Sequence, residues 1–221
     1  MILVKEFMEL IHLILDWVVH IDRHLGDLIH QFGPWFYVLM FVVIFCETGL
    51  VVTPILPGDS LLFAMGAFAA NHDLSLPLIL ALVPSAAILG DLTNYSLGHW
   101  LGPRIFRGEN VRLLNRKHLD RTREFYERHG SRTIIMARFV PIVRTFAPFV
   151  AGMGAMRFGR FVGFSLAAGL LWTALFVPAG YFFANNEFVR TRFSLVMLAI
   201  IVISALPALF EVLKARREKA G

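Results

Sequence analysis

The predicted fold is an all-α polytopic membrane protein, and three features of the sequence lead to it. The chain has 221 residues, of which 57% are hydrophobic and only 17% are charged, whereas an ordinary soluble domain has roughly 25% charged residues. The hydrophobic residues form blocks close to the ~20 residues that a membrane-spanning helix needs, at residues 36–52, 76–98, 161–183 and 193–210. Basic residues concentrate outside these blocks, as they do in cytoplasmic loops.

The same composition excludes several classes of protein. The chain is too apolar to be disordered, and its single cysteine, Cys46, excludes a disulfide-stapled secreted module. The formal net charge of +5 does not indicate nucleic-acid binding, because the basic residues flank the apolar blocks. A cleavable signal peptide is not expected, because Glu6 and Glu9 stand where its basic and apolar regions would lie.

The blocks divide the chain into an interfacial amphipathic helix at residues 1–34, a membrane domain at 35–186, and a C-terminal transmembrane helix with a basic cytoplasmic tail at 187–221. The membrane domain is expected to contain, in order, a first re-entrant hairpin at 36–70, a transmembrane helix at 76–101, a cytoplasmic basic amphipathic segment at 103–132, a second re-entrant hairpin at 133–156 and a transmembrane helix at 159–184.

Breaks in two apolar segments predict the hairpins. Pro54, Pro57 and Gly58 interrupt the first segment, and Pro141 and Pro148 interrupt the second. A helix break inside hydrocarbon is tolerated only where protein or a water-filled cavity covers the freed backbone groups. If the basic segments face the cytoplasm, the two hairpins enter from opposite sides, which predicts an inverted repeat with a site near the bilayer midplane.

Two polar stretches have alternative interpretations. Residues 115–129 predict a helix whose stripe contains Thr122 and Tyr126 and which ends at Gly130; it lies on an anionic membrane surface or is a solvated loop helix that sets topology. In the N-terminal segment, four residues on one helix face have the spacing of metal ligands: Asp16, His20, His24 and Asp27. They are interpreted as an ordinary polar face, and no metal or other cofactor is expected.

Four ionisable residues in the broken segments are the main candidates for function: Glu47, Asp59, Arg138 and Arg144. Each charge in mid-membrane costs about 2.5–3.5 kcal/mol, so we expect the acids and arginines to neutralise one another as pairs. An acid there can carry a proton, and an arginine fork binds phosphate bidentately. The alternatives are structural: Asp59 and Thr145 as helix N-caps, and the arginines as counter-ions of the acids.

Asp91 and Tyr95 lie one turn apart in the apolar block at residues 76–98. They predict either a second proton-relay element or an interhelical hydrogen-bond pair. An intramembrane enzyme is not expected, because no nucleophile elbow, zinc-protease motif or P-loop is present.

The two segments and the helix between them resemble the DedA family, within the superfamily of VTT-domain (SNARE-associated Golgi) proteins. The likeness covers nearly the whole chain and rests on Phe45-Cys46-Glu47 through Pro57-Gly58-Asp59-Ser60, Gly90-Asp91 with Tyr95 and Gly98, Arg138-Phe139-Val140-Pro141, Arg144-Thr145 and Ala151-Gly152. The resemblance implies a multi-pass protein of the bacterial inner membrane that has opposed re-entrant hairpins. It also implies a role in lipid movement between leaflets, proton-dependent drug tolerance and envelope integrity, with required acids and arginines at Glu47, Asp59, Arg138 and Arg144.

The residues and the resemblance together predict a proton-coupled flippase or scramblase of a lipid phosphate headgroup, on undecaprenyl phosphate or a phospholipid. Glu47, Asp59 and Asp91 would couple protons, and the headgroup would contact Arg138, Arg144, Thr145 and Tyr95. The alternative is a proton-coupled antiporter of small cations or drugs. Membrane lipids and protons are the expected partners, nucleic acid is not, and a homo-oligomer is compatible with the sequence.

Overall fold

The computed structural model describes residues 21–50, 58–106, 116–200 and 202–203, and every regular element within these ranges is a helix. In chain order the helices are α1 (Ile21–Phe32), α2 (Trp35–Gly49), α3 (Gly58–Ala70), α4 (Leu76–Phe106), α5 (Arg116–His129), α6 (Thr133–Ala137), α7 (Pro141–Val150), α8 (Phe158–Phe183) and α9 (Glu187–Thr191), followed by a helix at residues 193–200. A 3₁₀ turn, Gly130–Arg132, precedes α6, and a π turn, Ala151–Ala155, follows α7. The all-α prediction is confirmed.

Two of the described helices are long and apolar enough to cross a membrane, Leu76–Gly102 within α4 and Phe158–Phe183. They match the two spans that the sequence predicts inside the membrane domain, although α4 continues to Phe106, beyond the predicted end at residue 101. Large apolar side chains cover their outer faces; among those exposed are Leu78, Leu89, Leu166, Leu170 and Leu175. An apolar surface of this extent indicates contact with lipid. The predicted C-terminal span at residues 193–210 is described only through residue 200 and at 202–203.

Glycines with positive φ mark two of the expected helix ends. Gly33 has φ 50° and separates α1 from α2, next to residue 34, where the sequence predicts that the interfacial helix ends. Gly130 has φ 58° directly after α5, so the predicted C-terminal end of that helix is confirmed. A residue without Cβ adopts this left-handed conformation without steric cost.

Helices α3 and α8 cross at two glycines, Gly66 and Gly180. A Cβ on Gly66 would collide with the main-chain oxygen of Val177, and a Cβ on Gly180 would collide with that of Phe63. The two backbones are therefore in direct contact, the close approach that small residues permit between membrane helices.

Helix α4 crosses α7 and its π turn in the same way, at Gly98 and Gly152. A Cβ on Gly98 would meet the oxygen of Phe149, and one on Gly152 would meet that of Tyr95. In both crossings each glycine contacts the carbonyl that lies three residues before the glycine of the other helix. The two crossings are thus built on one pattern.

Helix α5 lies against α7. Its Thr122 and Tyr126 are buried, and the Tyr126 hydroxyl donates to the carbonyl oxygen of Ala147 at 3.0 Å. Burial raises the pKa of the Tyr126 phenol well above its usual value, so the phenol keeps the proton that it donates. The stripe predicted from the sequence therefore packs on the protein, while Arg123 and Glu127 on the outer face form an exposed pair at 3.5 Å.

Candidate functional site

Arg144 of α7 lies between two carboxylates of different helices. Its Nη2 donates to Oε1 of Glu47, near the end of α2, and its Nη1 donates to Oδ1 of Asp59, in the first turn of α3, at 3.2 Å. We call these three residues the Arg144 cluster. The exposed fractions of the three residues are 1% for Glu47, 7% for Asp59 and 9% for Arg144, so the ions have lost nearly all contact with the surroundings of the protein.

Arg138, in the turn between α6 and α7, forms a second cluster with Asp91 of α4. Its two terminal nitrogens donate to the two carboxylate oxygens, Nη1 to Oδ1 at 3.1 Å and Nη2 to Oδ2 at 3.0 Å. The Ser165 hydroxyl of α8 donates to the same Oδ2 at 2.6 Å. We call these three residues the Arg138 cluster. Arg138 and Asp91 are 4% and 1% exposed, and the planar bidentate geometry is the strong form of this interaction.

Trp172 of α8 connects the two clusters. Its indole Nε1 donates to Oδ1 of Asp59 at 2.7 Å, and the Cζ atom of Arg138 lies 5.4 Å from the centre of its ring. One fully buried side chain thus holds an acid of the first cluster by a hydrogen bond and the arginine of the second by a cation–π contact.

Both arginines also border one small cavity. It measures about 10 Å³, and besides Arg138, Arg144 and Asp91 it is lined by Ile134, Ala137, Ala147 and Pro148. The apolar members come from α6 and α7, so this space lies against the second broken segment. Its volume suits one water molecule.

Neighbouring polar contacts fix the helices that bring these residues together. The Asn94 amide of α4 donates to the carbonyl of Thr48, next to Glu47, at 3.1 Å and to the carbonyl of Thr145, next to Arg144, at 2.8 Å. Since one fully buried side chain bonds both backbones, it holds α2 and α7 together beside the Glu47–Arg144 ion pair.

The pairing differs from the one predicted. The sequence suggested that Glu47 and Asp59 would neutralise Arg138 and Arg144 as two pairs. Instead, both of those acids contact Arg144, and Arg138 pairs with Asp91. The reason is topological, because α4 places Asp91 beside the turn that contains Arg138, and no spacing along the chain encodes that contact.

One further prediction about hydrogen bonding is wrong. Thr145 is not a helix N-cap, because α7 begins at Pro141 and Thr145 is buried within it. Asp91 and Tyr95 form the hydrogen bonds to other elements that the interhelical alternative predicted. Asp91 accepts from Arg138 and Ser165, and the Tyr95 hydroxyl donates to the carbonyl of Met156 at 3.0 Å while its ring stacks on Phe161. A direct role of Thr145 and Tyr95 in headgroup binding stays a prediction.

Sequence reasoning missed Trp172, Ser165 and Asn94. A signal for the first two exists, because Ser165, Gly169 and Trp172 occur at i, i+4 and i+7 in an otherwise apolar helix and therefore share one face. Gly169 lies against the Arg138 guanidinium.

Within the described ranges no group of three His, Cys, Asp or Glu side chains could hold a metal ion. Of the N-terminal polar face, Asp16 and His20 lie outside these ranges.

Fold and site together define a helical membrane protein with a buried ionic centre, and comparison with known proteins gives its family. Residues 56–182 match the VTT domain. The chain is 47% identical to Protein DedA of Escherichia coli (strain K12) over 215 residues, which cover 96% of this chain and 98% of that one. It therefore belongs to the DedA family, as the residue pattern predicted.

Other relatives are more distant. Inner membrane protein YghB of Escherichia coli (strain K12) is 32% identical over 209 residues, which cover 91% of this chain and 92% of that one. The uncharacterized membrane protein Rv0364 of Mycobacterium tuberculosis (strain ATCC 25618 / H37Rv) is 39% identical over 180 residues, 80% of this chain and 79% of that one. No solved structure matches.

Gly58→Ala is expected to disrupt the Arg144 cluster. A methyl group at Gly58 would collide with the Glu47 carboxylate, and that carboxylate cannot swing away freely because Arg144 holds it. Losing one hydrogen bond between charged groups costs about 1.5–3 kcal/mol. We therefore expect a lower melting temperature of the purified protein. Gly159→Ala is the matched control, because nothing lies within 4 Å of a Cβ there; equal melting temperatures of the two variants would contradict the geometry.

Proposed function

We propose that this protein is a proton-coupled flippase that moves a lipid with a phosphate headgroup, undecaprenyl phosphate or a phospholipid, across the bacterial inner membrane. The observation that carries the proposal is that Arg138 and Arg144 border one cavity while each is held by a carboxylate. Phosphate and carboxylate compete for the same guanidinium fork. A headgroup can therefore bind an arginine here only after a carboxylate has released that guanidinium group.

Protonation is the step that would release an arginine. A carboxyl group that gains a proton loses its charge, and its hydrogen bond to the Arg144 guanidinium weakens accordingly. Arg144 then becomes available to the phosphate, so the proton and the headgroup bind in the same event and cross together. Asp91, held by three hydrogen bonds, keeps Arg138 in place during this exchange.

The buried charges support proton binding. Three carboxylates and two guanidinium groups are buried among the described residues: Glu47, Asp59, Asp91, Arg138 and Arg144. One bound proton makes this set neutral. Since an uncompensated charge costs several kcal/mol in a dry interior, the closed site is expected to hold that proton.

We further propose that α2 with α3, and α6 with α7, are the two re-entrant hairpins of an inverted repeat. Helix α2 has 15 residues, about 22 Å at 1.5 Å per residue, which is short of a ~30 Å hydrocarbon layer; α3 and α7 are shorter still. The second helix of each proposed hairpin crosses a long helix by the same glycine pattern, Gly66 with Gly180 and Gly152 with Gly98. Transporters commonly place their site between such repeats.

The proposed location in the inner membrane rests on the name of a relative, and the proposed orientation rests on the positions of the basic residues. YghB is named an inner membrane protein, and we assign this chain to the same membrane. The basic segment at residues 103–132 and the basic C-terminus are placed in the cytoplasm because basic loops are retained there.

A second candidate function is proton-coupled antiport of small cations or drugs. The excess of one carboxylate over the guanidinium groups favours it, because a monovalent cation would balance the site as a proton does. In that case Glu47 and Asp59 bind the substrate directly, and the arginines only position the acids.

Arg144→Lys discriminates between the two functions. Lysine keeps the charge but loses the planar fork that binds phosphate bidentately. If phosphate binds here, flipping of fluorescent phosphatidylglycerol in proteoliposomes should fall about tenfold or more, as expected for loss of one charge-assisted hydrogen bond. Arg160→Lys, an exposed position on α8, is the control and should leave the rate unchanged.

The same vesicles test the alternative. A pH-sensitive dye inside them reports proton efflux when a small cation is added outside. Proton–cation exchange that survives Arg144→Lys, together with no lipid flipping by the wild-type protein under any pH gradient, would reject the flippase and support the antiporter.

A further inference from the structure

The two acids of the Arg144 cluster have unequal surroundings. Oδ1 of Asp59 accepts two hydrogen bonds, from Arg144 Nη1 at 3.2 Å and from the indole Nε1 of Trp172 at 2.7 Å. Glu47 accepts one from Arg144 through Oε1. Its Oε2 faces the backbone of Gly58 and receives no side-chain hydrogen bond from the part of the chain that the structure describes.

We propose that Trp172 is a positioning residue that decides which acid carries the proton: it keeps Asp59 as the permanent carboxylate, so that Glu47 is the carrier. An indole N–H can donate but never accept, so it stabilises Asp59 only while the accepting oxygen is available and unprotonated. Oε2 of Glu47 can take a proton without breaking any side-chain hydrogen bond. The inference rests on the proposed proton coupling and assigns its carrier.

Trp172 also contacts the Arg138 cluster. Its ring face lies against Arg138, whose guanidinium is paired with Asp91. The charged groups around Glu47 are Arg144 on α7, Asp59 on α3 and, farther away, Arg138. When Glu47 gains its proton and Arg144 moves toward a headgroup, Asp59 keeps its bond to Trp172, and the indole therefore holds Arg138 at the cavity.

The test removes the indole donor and little else. Replacing Trp172 by 3-benzothienylalanine, which has sulfur in place of the N–H, keeps the size and the ring face, so the protein should fold. Flipping of fluorescent phosphatidylglycerol is measured from acid to alkaline pH in vesicles of phosphatidylethanolamine and phosphatidylglycerol. Without the donor, Asp59 competes for the proton, and the midpoint of the pH profile should move by about one unit to higher pH. Trp172→Phe should move it in the same direction.

Trp35→Phe is the matched control, because Trp35 is 70% exposed at the start of α2; its profile should coincide with that of the wild type. A merely structural role of Trp172 would lower the flipping rate equally at every pH. That result, or a pH profile that does not change, would overturn the inference and leave the proposed function intact. A wild-type protein that flips lipid at the same rate at every pH would overturn both.

Discussion

Asp91→Asn is expected to lower the free energy of unfolding by about 3–5 kcal/mol, the range for removing one partner of a buried ion pair. Arg138 would then remain buried opposite a neutral amide, and no other acid of the described ranges forms an ion pair with it. The amide also presents an NH₂ group to a guanidinium that can only donate. Because the Arg138 cluster joins α4 to the α6–α7 turn and to α8 through Ser165, its loss loosens three elements at once.

Glu47→Gln is the matched comparison and should lower the free energy of unfolding much less than Asp91→Asn does. It removes the carboxylate that is in excess, and Arg144 keeps its pair with Asp59. The amide oxygen of glutamine can still accept from Arg144 Nη2. Denaturation of both variants in mixed detergent micelles, followed by tryptophan fluorescence, gives the two free energies. Equal losses would mean that the carboxylates are equivalent, which contradicts the unequal pairing.

Gly180→Ala is expected to force α3 and α8 apart. The added methyl group would collide with the main-chain oxygen of Phe63, and a backbone inside a helix cannot move aside alone. Overpacking of this kind costs about 1–3 kcal/mol and sometimes more. The separation would also stretch the hydrogen bond from Trp172 on α8 to Asp59 on α3, so we expect both a lower melting temperature and a large loss of lipid flipping.

Gly163→Ala makes the same chemical change on the same helix. Nothing lies within 4 Å of a Cβ at Gly163, and its surface is exposed, so stability and flipping should stay at the wild-type level. The crossing of α4 and α7 offers a second test, because Gly98→Ala meets the main-chain oxygen of Phe149 and should behave like Gly180→Ala. If Gly180→Ala and Gly98→Ala were both as stable as the wild type, the backbone contacts described here would be wrong.

The residues of the site could be found from the sequence because the membrane makes them conspicuous. Glu47, Arg138 and Arg144 stand in apolar segments where a charge is expensive, and the structure buries all three. Trp172 carries no charge and gave no such signal. Only the helix face that it shares with Ser165 and Gly169 could have pointed to it, and its hydrogen bond to Asp59 is seen only in the structure. Asn94 was likewise part of a polar patch whose contacts depend on two other helices.

The sequence by itself determined the class of protein, the helices α4 and α8, the ends of α1 and α5, the family and the buried ionisable residues. It could do so because hydrophobic length, glycine after a helix and the cost of charge in lipid are local properties. Only the tertiary structure decided that Arg144 is shared by Glu47 and Asp59, that Arg138 belongs to Asp91, and that Trp172 lies between the two clusters. Those contacts join residues 34 to 113 positions apart, and helix packing at the glycine crossings, not sequence spacing, brings them together.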